Sequence, residues 1–280
     1  MGSSVKDATR APVGTDGSKV RSLRIITKHR DEMRRFGRRF WLRNLRGITK
    51  EGLRPIHLSG LAPIYIRPGE SDLEVVHEVF FARHYDIQSE AVRDRVARRY
   101  AEIVGTGKLP IIIDAGANIG ASTIWFARQY PQARIAAVEP DPGNLGMLRR
   151  NIRPYGNCCI LDAAIGAEPG FASLSNSGEQ LAWSVQTTRS SAGVPVVTVD
   201  DAFKSSGGDE PFIVKIDIEG FERDLFASNL AWLDRTYVVF VEPHDWMFPG
   251  DRPSGPLQRA MANHSFELFI AGDNLVYVRT

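Results

Sequence analysis

An α/β fold with a mostly parallel sheet and helices on both faces is what this sequence predicts, and three observations predict it. Short apolar runs alternate with segments of helical period from residue 109 onward, the pattern of repeated βα units. The first run ends in a glycine turn, Asp114-Ala115-Gly116-Ala117-Asn118-Ile119-Gly120, that leads directly into a helical segment. The chain closes with two β runs around Gly272-Asp273-Asn274, a hairpin signal. Unbroken apolar strands imply burial on both faces, and the helical segments that join them imply parallel neighbours with helices on both faces.

Each element has its own local reason. Residues 51–108 form a lead-in, with a short strand over 63–67 and a helix after Ser71, where Ser71 and Glu74 have capping-box spacing. That helix carries Val75, Val76, Val79 and Phe80 towards a core. A second helix begins after Ser89 and stops near Gly105 and Gly107. Strand 111–114 then precedes helix 121–130. Strand 134–139 precedes helix 142–151, with proline in its first turn, and 158–163 is a third strand. Residues 171–199 read as short β pieces and loops. Strand 212–217, helix 221–228 and strand 237–242 follow, and 266–270 with 275–278 make the hairpin.

Composition narrows the function. No apolar stretch reaches the ~18 residues of a membrane span. The two cysteines, Cys158 and Cys159, are adjacent, so a disulfide framework is excluded and a reducing cytoplasm is the expected compartment. Residues 1–6 lack a signal-peptide core, and Lys6 stands where a myristoylation motif needs Ser or Thr. Charge is unevenly spread: residues 1–50 hold 14 Lys/Arg against 4 Asp/Glu, the other 230 hold 21 against 29. Three segments follow: a basic arm over 1–50, unstructured to about residue 18, the lead-in over 51–108, and a catalytic body over 109–280. Within the arm, 20–48 reads as a basic amphipathic helix with Met33, Phe36 and Phe40 on one stripe. Either the stripe packs on the body, or the helix lies on an anionic membrane surface, at the inner face of the membrane. The body is acidic and has no nucleic-acid motif, so no nucleic-acid partner is expected.

The glycine turn is the strongest chemical signal. Gly116 and Gly120 let backbone approach a ligand, and the carboxyl end of a first strand is where open α/β sheets bind nucleotides. Glu139, at the second strand end, can accept hydrogen bonds from both ribose hydroxyls. A dinucleotide fingerprint wants glycine where Asn118 stands, and the Asp114 carboxylate would repel a pyrophosphate while attracting an ammonium group. S-adenosylmethionine carries one, which makes it the expected ligand. Asp162, closing the third strand, is placed to meet the adenine amine. Lys215, Asp217 and Glu219 end the fourth core strand, and Glu242-Pro243-His244 ends the next, beside them. Charges at apolar strand ends are expensive unless paired or functional. His244 is expected to be the general base, with Asp217 and Glu242 beside it and Asp217 also touching the donor. The preferred reading assigns no metal. Asp217, Glu219, Glu242 and His244 as ligands for magnesium or manganese are the alternative. The aromatics Trp183, Trp246 and Phe248 sit in loops, either stacking on a sugar ring or covering the core.

Taken together, the Asp114–Gly120 turn, Lys215-Ile216-Asp217-Ile218-Glu219-Gly220, Glu242-Pro243-His244, Arg67-Pro68-Gly69-Glu70-Ser71-Asp72 and Val199-Asp200-Asp201 resemble the FkbM-type methyltransferases. The resemblance covers about residues 60–280 and leaves the arm outside. It implies a class I, Rossmann-like methyltransferase fold with a seven-stranded sheet, and O-methylation of a hydroxyl on a sugar, glycan, glycolipid or secondary metabolite. Two rivals stand beside it. One is a nicotinamide oxidoreductase, disfavoured by Asn118 and by the absence of a Tyr-x-x-x-Lys pair. The other is a membrane-docked protein of the same fold without turnover.

Overall fold

The computed structural model describes residues 49–176 and 185–280, with positions 34, 36, 37, 40, 42 and 44, and divides into two compact units, 1–46 and 47–280. In the first unit those six positions are helical. Phe36 and Phe40 are buried and stack with ring centroids 4.4 Å apart, the contact that apolar residues four apart on a helix make. The rest of the expected 20–48 helix, the unstructured stretch before it and Trp183 lie outside the described residues. Among the described residues no helix is long and apolar enough to cross a membrane.

In the second unit the lead-in begins with an antiparallel ribbon of β1 (Arg54–Ile56) and β2 (Ile64–Ile66). Helices α1 (Asp72–Phe80) and α2 (Glu90–Gly105) follow. The Ser71 side chain caps nothing. Instead the buried Asp72 carboxylate accepts from Arg67 N at 2.7 Å, Nε at 3.0 Å and Nη2 at 2.7 Å. Ser71 itself has helical backbone angles, φ −73° and ψ −2°, whereas a capping serine has extended ones.

The core alternates as the sequence predicts: β3 (Pro110–Ala115), α3 (Ala121–Gln129), β4 (Arg134–Val138), α4 (Pro142–Ile152) and β5 (Cys158–Leu161). The chain then leaves the sheet. β6 (Ala164–Ile165), β7 (Gly170–Asn176), β8 (Val185–Ser190) and β9 (Val194–Val197) form a separate four-stranded sheet, ordered β6-β9-β7-β8. It returns through α5 (Val199–Ser206), β10 (Glu210–Ile216), α6 (Glu222–Leu225), α7 (Trp232–Arg235), β11 (Val238–Val241), α8 (Gly255–Ala262), β12 (Phe266–Ala271) and β13 (Asn274–Arg279). The seven-stranded sheet has the order β12-β13-β11-β10-β3-β4-β5, with β13 antiparallel to both its neighbours and the inner pairs parallel.

Alternation along the buried strands divides the core. Ile113, Val214, Ile216 and Val239 belong to one apolar cluster with α5, α7 and α8, whereas Ile112, Ile135, Ile213 and Val238 join α2 and α3 on the other face. Helices α5, α7 and α8 escape the sequence reading, and the expected helix 221–228 shortens to α6. α5 carries the capping box that Ser71 lacks, with Thr198 and Asp201 bonded reciprocally. Strand order reverses between β3 and β10. That switch point, at the carboxyl ends of the strands, is where an open α/β sheet forms its crevice.

Candidate active site

The turn after β3 is shaped by the chain itself. Gly116 has φ +75°, and a Cβ placed there would lie 1.7 Å from the Asp217 carbonyl oxygen. At Gly120 (φ +89°) a Cβ would meet Leu148 Cδ1 at 2.8 Å and Ile152 Cγ2 at 3.0 Å, both on α4. The glycines therefore fit the turn against the end of β10 and against α4, a constraint that holds beside the ligand approach the sequence reading gives them. Between them Asn118 takes φ +50°, a conformation asparagine tolerates better than most residues.

Asp114 is fully buried. Its Oδ2 accepts from Ser122 Oγ at 2.7 Å and Thr123 Oγ1 at 2.5 Å, and its Oδ1 lies 3.3 Å from Lys215 Nζ. Lys215 is as buried; its ammonium donates to Gly116 O at 2.8 Å and lies 3.3 Å from Asp217 Oδ2. Burial opposes the lysine charge, but Tyr85, Asp114 and Asp217 hold its pKa well above the ordinary value. Asp114 thus does not wait for the ammonium of a ligand, because it already has one from its own chain. The pair links the ends of β3 and β10.

Above this pair a cavity of about 590 Å³ opens, lined by Gly116, Asn118, Glu139, Asn144, Asp217 and Glu219 on its polar side. Val138, Pro140, Ala163, Ala164, Ile165, Ile218 and Phe221 line its apolar side, and Thr187 reaches it from the second sheet. Glu139 is held in place by amides: Oε2 accepts from Asn118 N at 2.8 Å and Oε1 from Asp141 N at 2.9 Å. Burial pushes its carboxyl up to about 7, against those hydrogen bonds, which lower it. Asp162 is not in the lining. Its half-exposed carboxylate pairs with Arg149 on the surface, so the wall beside the cavity is the Ala163–Ile165 backbone and side chains.

At the other end of the cavity four carboxylates converge on one imidazole. His244, 2% exposed, shares a hydrogen bond between Nδ1 and Glu222 Oε1 at 3.0 Å. Its Nε2 lies 3.6 Å from Asp217 Oδ1, 3.6 Å from Glu219 Oε2 and 4.0 Å from Glu242 Oε1. Burial disfavours the imidazolium, but the Glu222 hydrogen bond and the charges of Glu222, Asp217 and Glu219 lift the imidazole to about 10. It is therefore not the free base titrating near neutrality that the sequence reading expects, but the positive centre of an acidic cluster. Burial and the Asp217 charge push Glu219 up to about 7, and the Asp217 charge with burial pushes Glu242 to about 8. Glu219 sits at φ +54°, a strain of about 1–3 kcal/mol for a non-glycine residue, of the kind that collects at functional sites. Glu222 escapes the sequence reading: it opens α6, and no spacing relates it to His244. A second cavity, about 960 Å³, shares Thr187, Glu219 and Phe221 with the first and is also lined by Arg223 and Phe248. Phe248 packs against Gly220, whereas Trp246 is exposed.

A reversed-order parallel sheet with a closing hairpin, a glycine turn and a strand-end carboxylate over the switch point define a class I methyltransferase architecture. The chain belongs to the methyltransferase FkbM domain family, whose model matches residues 114–268. It is thus a methyltransferase. Among its relatives, 2-O-methyltransferase NoeI of Sinorhizobium fredii is 24% identical over 164 residues, covering 51% of this chain and 68% of that protein. Methyltransferase sdnD of Sordaria araneosa is 40% identical over 72 residues, 26% of each. The O-methyltransferase from Bacillus cereus, solved in complex with SAH, matches over 76% of this chain and 92% of that one, at 16% identity and a TM-score of 0.34. So distant a likeness adds nothing to the assignment.

Proposed function

We propose that the protein transfers a methyl group from S-adenosylmethionine to a hydroxyl of a sugar, glycan, glycolipid or secondary metabolite. The observation that carries this reading is one cavity lined both by the amide-pinned Glu139 and by Asp217 and Glu219 of the acidic cluster. The residues present fit the donor. Glu139 lines the cavity as a fixed acceptor for a ribose diol, and Val138, Pro140 and Ala163–Ile165 offer an apolar wall for a flat base. S-adenosylmethionine supplies an electrophilic methyl group on a sulfonium. Lys215, Asp114 and Gly116 keep the two strand ends in register, so that the donor pocket and the acidic cluster stay aligned for an in-line displacement. Asp217 or Glu242 receives the hydroxyl proton beside the His244 imidazolium, and the larger adjoining cavity receives the acceptor. Calorimetric titration with S-adenosylmethionine and with NADH tests the donor. Binding of NADH alone would favour the oxidoreductase rival.

Two expected outcomes follow from this reading. Glu139→Ala should weaken donor binding by about 1–3 kcal/mol, the worth of hydrogen bonds to a charged acceptor. Donor affinity should also depend on pH. Below about 7 the Glu139 carboxyl is protonated and loses its charge as an acceptor, so affinity should fall as pH is lowered through 7 and recover above it. Without donor the sign reverses. Native Glu139 holds a proton between its ordinary value of 4.5 and about 7 that the unfolded chain has released, so this group adds stability as pH falls through that window. Titrations at pH 6, 7 and 8 check the first effect, and a flat profile in Glu139→Gln assigns it.

The basic arm is proposed to lie on anionic membrane. The whole protein should then sediment with phosphatidylserine vesicles at low salt and release as salt rises. A chain starting near Lys50 should stay folded and remain in the supernatant. Unfolding of that shortened chain would assign the arm to the body instead.

A further inference from the structure

His244 is the least free of the cluster residues, and its orientation carries chemical information. A carboxylate only accepts, so the 3.0 Å contact to Glu222 Oε1 places a hydrogen on Nδ1, and an incoming cation has only the Nε2 proton to displace to find a lone pair there. His244 Nε2 makes no hydrogen bond among the described residues. Its nearest oxygens, on Asp217, Glu219 and Glu242, stand at 3.6, 3.6 and 4.0 Å, too far for hydrogen bonds. These separations fall between the two that ligands of one octahedral ion show. Around an octahedral cation with bonds of about 2.1 Å, neighbouring ligands lie about 3 Å apart and opposite ones about 4.2 Å. The donor atoms of Asp217, Glu242 and His244 all fall within 4.8 Å of one another.

The geometry points to a binding site for a divalent cation, of the manganese or magnesium kind, held by Asp217, Glu242 and His244 with Glu219 at its rim. Carboxylate oxygens with one imidazole suit such an ion. Glu222 has the role of the carboxylate that fixes a ligating imidazole from behind. The side chains of Asp217, Glu219 and Glu242 are 29%, 32% and 27% exposed, which leaves water access to complete the coordination. Asp217 and Glu219 line the donor cavity and Glu219 also lines the adjoining one, so an oxygen ligand of the ion would lie where the two cavities meet. The binding site stands on this geometry. Its use in orienting an acceptor hydroxyl rests on the methyl-transfer reading.

Manganese titrated into the whole EDTA-treated protein, with free ion read by electron paramagnetic resonance, tests the site. One ion per chain is expected. His244→Ala and Glu242→Gln should each weaken binding more than tenfold, and Glu222→Gln by about 10–100-fold through loss of imidazole orientation. Trp246, whose ring centroid is 6.5 Å from that of His244, should be quenched by bound manganese, and Trp246→Phe should remove that quenching. The absence of stoichiometric binding, or undiminished binding in both ligand variants, overturns the site. If His244→Ala does not fold, the part-exposed Glu242→Gln decides alone. Manganese binding in a protein that binds no methyl donor would sink the methyl-transfer reading and leave the site standing; donor binding with no manganese bound would do the reverse.

Discussion

His244→Ala is expected to lower kcat by roughly 10²–10⁴ while leaving donor affinity close to that of the native protein, the size of effect produced when the proton-accepting carboxylates lose the charge that organises them. The imidazole neutralises part of the charge of Asp217, Glu219 and Glu242. Without it those carboxylates lose the group that fixes their spacing, and the acceptor oxygen loses its partner. Donor affinity should survive because His244 is not in the wall of the donor cavity. Methyl transfer from labelled S-adenosylmethionine, with acceptors drawn from hydroxylated sugars and metabolites, gives kcat, and calorimetry gives the donor Kd. A native rate in this variant would reduce His244 to a packing residue.

Lys215→Met should destabilise the body by about 3–5 kcal/mol, the loss seen when one partner of a buried pair is removed. The methionine fits the volume but leaves Asp114 buried with only the Ser122 and Thr123 hydroxyls to offset its charge. For a body of this size that is a fall in Tm of very roughly 10 °C. The double variant Lys215→Met, Asp114→Asn should recover much of the loss, because the stranded charge is gone. Thermal and urea unfolding of the three proteins distinguish this from simple loss of packing, which the second substitution would not restore.

What the sequence disclosed depends on the range of the interaction that decides each feature. The glycine turn, strands β3, β4, β10 and β11 and the closing hairpin are set by local apolar runs and turn residues, and they are legible. Ser71 shows the limit of that reading: its capping spacing is correct, but its backbone is already helical and its side chain caps nothing. The second sheet pairs segments whose apolar content is modest, so its existence follows from tertiary contact. The site divides in the same way. Glu139, Asp217, Glu242 and His244 are found at strand ends by counting. That Asp114 is satisfied by Lys215, and His244 by Glu222, depends on which side chains meet across neighbouring elements, and no spacing reveals it.

The contact between Gly116 and the Asp217 carbonyl has a consequence for how mutational data on this chain should be interpreted. Every side chain at position 116 collides with main chain that cannot yield, so a saturation library will find that position as intolerant as any reacting group. The intolerance will be there even for a version of the protein selected only for solubility, with no donor or acceptor supplied. Invariance in a glycine turn of this kind measures joinery between two strands. Ligand contacts have to be sought at positions such as Asn118 and Glu139, where selection for turnover and selection for folding should give different answers.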